Sequence, residues 1–253
     1  MASNKVDILA FGAHPDDVEC AISGTLLKHI AMGKKVAIVD LTAGELGSYG
    51  TPEIRLFESN QASQILGISY REQLGLKDGS IFNNETNRLL VIKAIRKFQP
   101  DIVLANALKD NHPNHADAAK LVADAAFLSG LKKIKTVENG KLQEKWRPKM
   151  VYHYIQDQFI EPDFVVDITE HMDNKMESIR AYASQFIDPK TDSPNSIIGL
   201  LDQIISMNSI YGRPINSKYA EGFNVSRYLG VESFYNLVWL GLNWIETINL
   251  WES

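Results

Sequence analysis

The chain has 253 residues, of which 45% are hydrophobic and 23% are charged, and its formal net charge at pH 7 is -5. A chain of this length can bury one sizeable core, so we expect a single domain over residues 1–253. The acidic balance argues against nucleic acid or an anionic membrane as the main partner, because both bind concentrated basic surfaces.

Short apolar runs alternate with helical patterns through the first half of the sequence, which is typical of a mainly parallel sheet covered by helices. Residues 6–13 are almost continuously apolar, as expected for a central strand that is buried on both faces. The pattern then predicts helices over 17–32, 51–66, 87–98 and 117–128, and strands over 36–41, 70–76 and 101–106. We therefore predict an α/β fold whose Rossmann-like core, about residues 5–130, carries helices on both faces of its sheet.

The second half of the sequence is less regular, and we expect it to complete the substrate pocket and the subunit contacts. The patterns there are strands at 150–155 and 164–168, a long amphipathic helix over 170–186, a turn-rich break at 188–194 and an amphipathic aromatic segment over 232–251. The basic stretch 132–149 is interrupted by two glutamates, and we interpret it as a solvated surface connection. Residues 150–253 are thus expected to form a smaller, irregular C-terminal portion.

Cysteine usage and hydropathy favour a cytoplasmic protein. Cys20 is the only cysteine, so no intrachain disulfide can form, which fits a reducing cytosol. The first residues lack the basic region of a signal peptide. The most apolar segment near the C-terminus, residues 233–245, has 13 residues without a charge. A membrane-spanning helix needs about 20, so no membrane partner is expected.

The motif A-H-P-D-D occupies residues 13–17, where the first predicted strand passes into a helix. Ligand sites in open parallel sheets gather beyond the carboxyl ends of the strands, so this position favours function. Proline after His14 fixes the backbone, and the adjacent Asp16 and Asp17 lie on a turn and point in different directions. One carboxylate can therefore bind a metal ion while the other faces a substrate.

A second motif, H-P-N-H, occupies residues 112–115 in the loop after the strand predicted at 101–106. That strand can lie beside the first strand, so both loops could share one crevice. His14, Asp17 and His115 would then offer two imidazoles and one carboxylate, a set of ligands that holds zinc in hydrolytic sites. Asp16 could take a proton from water, and His112 could serve the other side of the reaction.

Each motif alone also has an ordinary structural interpretation. His14-Pro15 is typical of a turn, and Asp16-Asp17 is typical of a helix N-cap followed by an acid in the first turn. Residues 111–115 taken singly are a polar loop. The hypothesis of a catalytic site therefore depends on the joint placement of the two motifs at the ends of neighbouring strands.

The sequence resembles the PIG-L or LmbE-like family of zinc-dependent N-acetylglucosaminyl deacetylases, in which (A)HPDD is followed by HxxH. The segments G-E-L-G-S-Y-G-T-P-E-I-R-L-x-E at 44–58 and Y-A-E-G-F at 219–223 are similar to the N-acetylglucosaminyl-malate deacetylases of bacillithiol biosynthesis. The resemblance covers about residues 6–223. It implies a hydrolase that removes the N-acetyl group of N-acetylglucosaminyl-malate, with another N-acetylglucosamine conjugate or a chitin-derived disaccharide as the alternative substrate.

The resemblance also implies roles for the residues of the two motifs. It implies zinc, or another divalent transition metal such as Fe2+, on His14, Asp17 and His115. It implies that Asp16 is the general base and that His112 is an acid or an oxyanion partner. These assignments agree with the chemistry suggested by the residue types alone.

Substrate contacts are implied by the same resemblance. Arg55 is expected in the substrate pocket, where a guanidinium suits a carboxylate or sugar hydroxyls. Arg213 is a second candidate for a carboxylate, and Glu45 and Tyr219 are further substrate-binding candidates in the two longer segments. A surface ion pair is the ordinary alternative for either arginine. Relatives suggest a homo-oligomer, a hexamer or a trimer, that acts on a small-molecule N-acetylglucosaminide.

Two positions depart from the family pattern. The family often has HPDH, and Asn114 stands where that acid is expected, while arginine often stands where this chain has Asn111. An aspartate at position 114 could hold His112 by a hydrogen bond and raise its pKa, whereas asparagine can orient the ring without a charge. We expect a weaker or shifted basic limb in the pH–rate profile, and one substrate or anion contact at position 111 is in doubt.

Two other classes of protein remain as alternatives. Non-haem iron oxygenases also use two histidines and one carboxylate, but usually with His-x-Asp spacing on a β-barrel rather than His-x-x-Asp spacing on an α/β pattern. A sugar- or nucleotide-binding module without catalytic activity has no need for the set of acids and imidazoles. The first turn also reads F-G-A-H-P-D-D, which differs from the dinucleotide-binding fingerprint.

Overall fold

Nine strands and seven α-helices occur in the part of the chain that the computed structural model describes, residues 4–186 and 199–233. The strands are β1 (Ile8–Gly12), β2 (Val36–Asp40), β3 (Tyr70–Gln73), β4 (Ile102–Ala105), β5 (Val137–Glu138), β6 (Lys141–Leu142), β7 (Met150–Tyr154), β8 (Phe164–Asp167) and β9 (Ala220–Val225). The α-helices are α1 (Asp17–Ala31), α2 (Pro52–Leu66), α3 (Glu85–Phe98), α4 (Pro113–Leu128), α5 (Met172–Arg180), α6 (Ala183–Phe186) and α7 (Leu200–Gly212).

Seven of these strands form one sheet in the order β3-β2-β1-β4-β7-β9-β8, and β5 and β6 form a separate hairpin. The five strands from β3 to β7 in this order are parallel to their neighbours. Strand β9 is antiparallel to both β7 and β8. The predicted α/β class with a mainly parallel sheet is therefore confirmed.

Alternate residues of β1 pack against helices on opposite faces of the sheet. Leu9 and Phe11 belong to a core cluster that includes residues of α3 and α4. Ile8 and Ala10 belong to a cluster that includes residues of α1. All five residues of β1 are buried, as expected for a strand with parallel neighbours on both sides. Because helices cover both faces, a ligand site is expected at the strand ends.

The strand order reverses at β1, which places two loops next to each other. The chain runs from β1 outward to β2 and β3, and then returns so that β4 pairs with the other side of β1. The crevice beyond the carboxyl ends of β1 and β4 is thus the topological switch point at which open α/β sheets bind ligands. The loop after β1 carries residues 13–16 and leads into α1 at Asp17, and the loop after β4 carries residues 106–112.

Several predicted elements differ from the observed ones in their bounds. Helix α4 begins at Pro113 rather than at 117, because the side chain of His112 caps its N-terminus and proline fits the first helical position. The helix predicted over 170–186 is divided into a 3-10 turn (Thr169–His171), α5 and α6. The division between α5 and α6 falls at the fully buried Tyr182, whose hydroxyl donates a hydrogen bond to Glu19 at 3.2 Å.

The C-terminal portion of the described chain adds to the same sheet through elements that the sequence patterns did not predict, β9 and α7. Glu221 of β9 is fully buried, and its carboxylate pairs with Lys175 of α5 at 2.7 Å. The same carboxylate accepts hydrogen bonds from the backbone N–H groups of Gly24 and Thr25 in α1. One buried ion pair thus joins the sheet to two helices.

The β5–β6 hairpin lies within residues 132–149, which were expected to form only a surface connection. The turn-rich break predicted at 188–194 and the aromatic segment beyond residue 233 lie outside the described residues. Over residues 4–186 and 199–233, no helix combines the length and the apolar character needed to cross a membrane.

Candidate metal centre and adjoining cavity

The loop after β1 places two carboxylates and an imidazole at the switch point. Asp16 has a left-handed backbone, with φ 112°, so the chain turns sharply between β1 and α1. Asp17 then begins α1, and its Oδ2 accepts hydrogen bonds from the backbone N–H of His14 at 3.0 Å and from Asn106 Nδ2 at 2.9 Å. His14 and Asp17 are buried. The turn thus holds the Asp17 carboxylate in one orientation.

The loop after β4 and the first turn of α4 supply two more imidazoles. His112 is the N-cap of α4, and its Nδ1 accepts a hydrogen bond from the backbone N–H of Asn114 at 3.2 Å. The proton of the neutral His112 ring is therefore on Nε2. His115 lies within the first turn of α4, with its Nε2 3.2 Å from Oδ1 of Asp17. The two predicted loops do meet in one crevice.

The three residues predicted to hold a metal ion lie together. Nδ1 of His14 is 3.7 Å from Oδ2 of Asp17, and the ring centroids of His14 and His115 are 5.6 Å apart. One nitrogen from each of His14, His112 and His115 also lies within 4.8 Å of the other two. Two overlapping donor sets are therefore present, one of which includes the Asp17 carboxylate and the other His112.

Two buried aspartates that the sequence analysis missed fix the orientation of the imidazoles. Nδ1 of His115 lies 2.8 Å from Oδ1 of Asp110, and Nε2 of His14 lies 3.0 Å from Oδ1 of Asp78. Because an ionised carboxylate only accepts hydrogen bonds, these contacts place the ring protons on His115 Nδ1 and His14 Nε2. In the neutral rings, the lone pairs on the other two nitrogens then face Asp17, as a bound metal ion would require. Carboxylates behind metal-binding histidines commonly have this role.

The pKa values of the histidines and of Asp17 indicate that the site favours a bound positive charge. Burial disfavours protonated His14 and His115, but the hydrogen bonds that His14 donates to Asp17 and Asp78 raise its pKa to about 9. The charge of Asp17 and the hydrogen bond that His115 donates to Asp110 raise the pKa of His115 to about 10. Burial opposes ionisation of Asp17, yet His115 and His14 hold its pKa well below its usual value. In the metal-free protein, the added protons of His14 and His115 therefore balance the negative charge of the carboxylates. A bound divalent ion would balance the same charge.

Asp16 pairs with an arginine, whereas Asp17 faces the imidazoles. Its Oδ2 accepts a hydrogen bond from Nη2 of Arg55 at 2.8 Å, and this guanidinium also donates to the backbone carbonyl of Pro15 at 2.5 Å. Burial raises the pKa of Asp16 to about 6, while the charge of Arg55 acts in the opposite direction. A carboxyl with a pKa near neutrality is suited to accept and return a proton.

Arg55 does not lie where the sequence analysis expected it. Its side chain is only 5% exposed and is not part of the cavity lining among the described residues. The guanidinium is engaged by Asp16 and by backbone carbonyls, so it orients the acid rather than presenting a free fork to a substrate carboxylate. A Cβ atom at Gly44 would overlap this guanidinium, so the glycine in the loop after β2 makes room for it.

The other expected substrate contacts also lie elsewhere. The Glu45 carboxylate accepts hydrogen bonds from the backbone N–H groups of Asp78 and Ala43, which ties two loops together. Arg213 is exposed in a 3-10 turn after α7, and Tyr219 packs beside a cluster formed by α5, α7 and the turn before α5. None of these three predicted residues lines the cavity in the described part of the chain.

Asn114 has a different role from the one its motif suggested. Its side chain does not contact His112, which is oriented instead by the backbone N–H of Asn114. Nδ2 of Asn114 donates to Oδ1 of Asp78 at 2.7 Å and lies 3.1 Å from Nε2 of His14. The amide therefore supports the far side of His14, so the expected effect of residue 114 on the titration of His112 loses its structural basis.

A cavity of about 550 Å³ opens beside the imidazoles and both acids of the first motif. Asp16, Asp17, His112 and His115 line one end of it. The other lining residues are Cys20, Ser48, Tyr49, Asn111, Gln156, Asp157, Gln185, Phe186, Leu200, Gln203, Ile204 and Met207. The loops after β2 and β7 and the helices α6 and α7 thus form walls that the two motifs did not predict.

Comparison with known proteins relates the chain to N-acetylglucosamine deacetylases. The family model "PIG-L: GlcNAc-PI de-N-acetylase" matches residues 9–126. The diacetylchitobiose deacetylase of Thermococcus kodakarensis is 26% identical over 85% of this chain and 81% of its own length. The probable N-acetyl-alpha-D-glucosaminyl L-malate deacetylase 2 of Bacillus anthracis is 24% identical over 75% of this chain and 85% of its own. The crystal structure of a conserved protein from Thermus thermophilus, TT1542, has a TM-score of 0.79 and 34% identity, over 90% of this chain and 98% of that one.

The fold, the site and these similarities together define an amide hydrolase of the deacetylase type. The chain belongs to the PIG-L family. The family match includes both motifs, and its residues 9–126 run from β1 nearly to the end of α4. The deacetylase class therefore applies to the part of the fold that carries the candidate metal centre.

Proposed function

We propose that this protein removes the N-acetyl group from an N-acetylglucosaminide, using zinc held by His14, Asp17 and His115. The observation that carries the proposal is the meeting of these three side chains next to Asp16, at one end of a cavity at the switch point. The two curated relatives described above are named for N-acetylglucosamine compounds, diacetylchitobiose and N-acetylglucosaminyl L-malate. The cavity is large enough to take a sugar.

The donor set fits zinc in chemical type. Two imidazole nitrogens and one carboxylate oxygen are ligands that zinc takes in hydrolytic sites, and Asp110 and Asp78 support the two imidazoles from behind. Bound zinc would supply a Lewis acid for the acetamide carbonyl and would lower the pKa of water from about 15.7 to near 7. Other divalent transition metals suit the same donors, so zinc is the first metal to test.

Asp16 is placed to move the proton of the reaction. It lines the cavity next to Asp17, and Arg55 holds its carboxylate. We assign to Asp16 the removal of a proton from the water that attacks the acetamide carbonyl. Its pKa of about 6 allows a carboxylate at neutral pH that can still hold the proton transiently.

His112 is placed to act on the oxyanion or on the leaving amine of the same reaction. Its ring centroid lies 4.8 Å from that of His14 and 4.9 Å from that of His115, and it lines the cavity. Burial and the two neighbouring imidazoles lower its pKa, so the neutral ring with its proton on Nε2 is favoured. We assign to this N–H a hydrogen bond to the developing oxyanion or to the leaving amine. As the C–N bond breaks, the amine takes up a proton from Asp16 or from His112, so the products are acetate and a free sugar amine.

The proposed function is tested by acetate release. The full chain is stripped of metal with a chelator, reloaded with one equivalent of zinc, and assayed with N,N′-diacetylchitobiose and with N-acetylglucosaminyl-malate. We expect acetate and a primary amine in equal amounts after reloading and none before it. Failure of the reloaded protein to release acetate from either compound would contradict the proposal.

The pKa shifts predict how zinc affinity depends on pH. Because the pKa values of His14 and His115 are raised to about 9 and about 10, both rings carry a proton at pH 7 in the metal-free protein. Zinc must displace both protons, so its affinity should rise by about a hundredfold per pH unit between pH 6 and 8 and level off only above about pH 10. Competition with a chromophoric chelator at several pH values measures this slope. An affinity independent of pH over this range would contradict the assignment.

Replacing Asp110 by asparagine is expected to weaken zinc binding by about 10- to 100-fold, since this acid orients His115 through Nδ1. The measurement is zinc affinity by chelator competition. Asp101→Asn is a matched control, because Asp101 directly precedes β4, at the end of the strand opposite to the site, and pairs with the exposed Lys149. Equal zinc affinities for the two variants would show that the Asp110–His115 contact does not support the metal.

A further inference from the structure

Asn106 follows directly after β4 and is fully buried beside the candidate metal centre. Its Nδ2 donates hydrogen bonds to Oδ2 of Asp17 at 2.9 Å and to Oε1 of Gln156 at 2.9 Å. An amide NH2 group has two hydrogens, so these two contacts use both of them. The whole donor capacity of the Asn106 side chain is therefore directed at Asp17 and Gln156.

The two oxygens of the Asp17 carboxylate have different surroundings. Oδ2 accepts hydrogen bonds from the backbone N–H of His14 at 3.0 Å and from Asn106 at 2.9 Å. Oδ1 lies 3.2 Å from Nε2 of His115, the nitrogen that faces the proposed metal position. A carboxylate oxygen has about two acceptor sites, so the two N–H groups occupy those of Oδ2. Oδ1 is therefore the oxygen that remains for a metal ion.

The orientation of the Asn106 amide is set by its neighbours, although it leaves one buried oxygen unsatisfied. With the amide turned over, Oδ1 would face two acceptor oxygens, those of Asp17 and Gln156, which is unfavourable. In the observed orientation Oδ1 has no hydrogen-bond partner among the described residues. A buried acceptor without a partner costs stability, so the fold alone does not account for an asparagine at this position. The contact with Asp17 does.

The backbone of Asn106 is held from the neighbouring strand. Nδ1 of His153 in β7, a residue that is only 1% exposed, donates to the carbonyl of Asn106 at 3.0 Å. Burial lowers the pKa of His153, so the neutral ring is favoured, and the contact with the carbonyl places its proton on Nδ1. Oε1 of Gln156 also accepts from the backbone N–H of Ala107 at 3.3 Å. These contacts fix the direction from which the amide meets Asp17.

The number of oxygens that a carboxylate offers affects how a metal ion can react. Zinc in hydrolytic sites takes three protein ligands and keeps a further position for water or substrate. A carboxylate that gave both oxygens to the ion would take up an additional position and crowd the open one. The two N–H groups on Oδ2 oppose such a second bond.

We propose that Asn106 is a positioning residue: together with the backbone N–H of His14, it confines Asp17 to ligation through Oδ1 and so keeps a position on the metal ion open. This inference rests on the metal site of the proposed function, and it assigns a role to a residue outside the two motifs. Loss of the amide should change the coordination of the ion more than its affinity, because the freed Oδ2 can become an additional ligand.

The test uses the full chain loaded with one equivalent of Co2+ in place of zinc. The visible absorption of Co2+ is weak when the ion has six ligands and much stronger when it has fewer. We expect strong absorption for the wild-type protein and a clear loss of intensity for Asn106→Leu, which keeps the approximate size of the side chain and removes the donor. With zinc, kcat for N,N′-diacetylchitobiose should fall by about 10- to 100-fold, while zinc affinity, measured by chelator competition, should change by less than about tenfold.

Asn208→Leu is the matched control. Asn208 is a buried asparagine of α7 whose amide donates to the carbonyl of Ala220 at 3.0 Å, and its Oδ1 likewise has no partner in the described part of the chain. It is not among the described residues that line the cavity. This variant should leave the Co2+ spectrum and kcat unchanged. Should Asn106→Leu fail to fold, Asn106→Ala, which adds no bulk, decides the same comparison.

The outcomes separate this inference from the proposed function. Equal Co2+ spectra for the wild type and Asn106→Leu, or a weak spectrum typical of six ligands in the wild type, would overturn the role of Asn106. A loss of zinc affinity as large as the loss of kcat would also overturn it, because it would show that the amide only stabilises the site. Absence of acetate release by the wild-type protein would instead overturn the proposed function, and the spectra would still decide how Asp17 binds the ion.

Discussion

Replacing Asp16 by asparagine is expected to lower kcat by about a hundredfold or more, the usual size of a general-base effect, while zinc content stays at one equivalent. Asp16 lines the cavity and is held by Arg55, whereas the imidazoles of the site face Asp17. Removing its charge should therefore abolish proton transfer without removing a metal ligand. Asparagine tolerates the left-handed backbone at this position, φ 112°, so the turn itself should persist.

The measurement for Asp16→Asn is steady-state acetate release together with metal analysis of the same sample. Asp101→Asn serves as the control for loss of one carboxylate at a distance from the cavity. A variant that retained wild-type kcat would show that Asp16 is not the base. Loss of zinc together with activity would instead assign Asp16 to the metal.

Replacing His115 by alanine is expected to remove zinc and with it all measurable acetate release. His115 contributes one of two imidazoles that face Asp17, and Asp110 holds it in this orientation. Three protein ligands are the usual minimum for zinc in a hydrolytic site, so two should not retain the ion during gel filtration. The metal content is measured after that step, and a circular dichroism spectrum shows whether the fold persists.

His112→Ala is the matched control for the loss of an imidazole. His112 lies three residues earlier, and its ring stacks on that of His115 with centroids 4.9 Å apart. We expect this variant to retain zinc and to lose much of kcat, because its ring serves the oxyanion or the leaving amine. The opposite pattern, with zinc retained by His115→Ala and lost by His112→Ala, would assign the metal to the set of histidines that includes His112.

The parallel core could be predicted from the sequence because its signals are local. A nearly continuous apolar run marks β1, and the Thr51-Pro52 pair marks the start of α2, where the threonine side chain accepts a hydrogen bond from Ile54 N–H. Strand β9 was not predicted, because it contains Glu221, a residue that is untypical of a buried strand. Only the fold shows that Lys175 and two backbone N–H groups satisfy its charge.

The motifs of the site were predictable for the same reason, and their supporting residues were not. His14, Asp17 and His115 lie in short motifs at strand ends, so the strand order alone brings them together. Asp78 is a single acid in a Lys-Asp-Gly turn, and nothing in its local sequence distinguishes it from an ordinary turn residue. Its contact with His14 spans 64 positions and depends on tertiary packing.

The reassignment of Arg55 has the same physical origin. The sequence shows an arginine in a segment that resembles substrate-binding enzymes, but it does not show which anion the guanidinium meets. In the structure that anion is the carboxylate of Asp16, 39 positions away. The choice between an internal acid and a substrate carboxylate as its partner could be made only with the side chains in place.

The central claim is that the loops after β1 and β4 hold one divalent ion between an imidazole and a carboxylate of the first loop and an imidazole at the start of α4. Crystals of the zinc-loaded protein, with an anomalous difference map at the zinc edge, test it directly. We expect one strong peak about 2.0–2.2 Å from a nitrogen of His14, an oxygen of Asp17 and a nitrogen of His115. An anomalous peak elsewhere in the molecule, or none in crystals of zinc-loaded protein, would contradict the account.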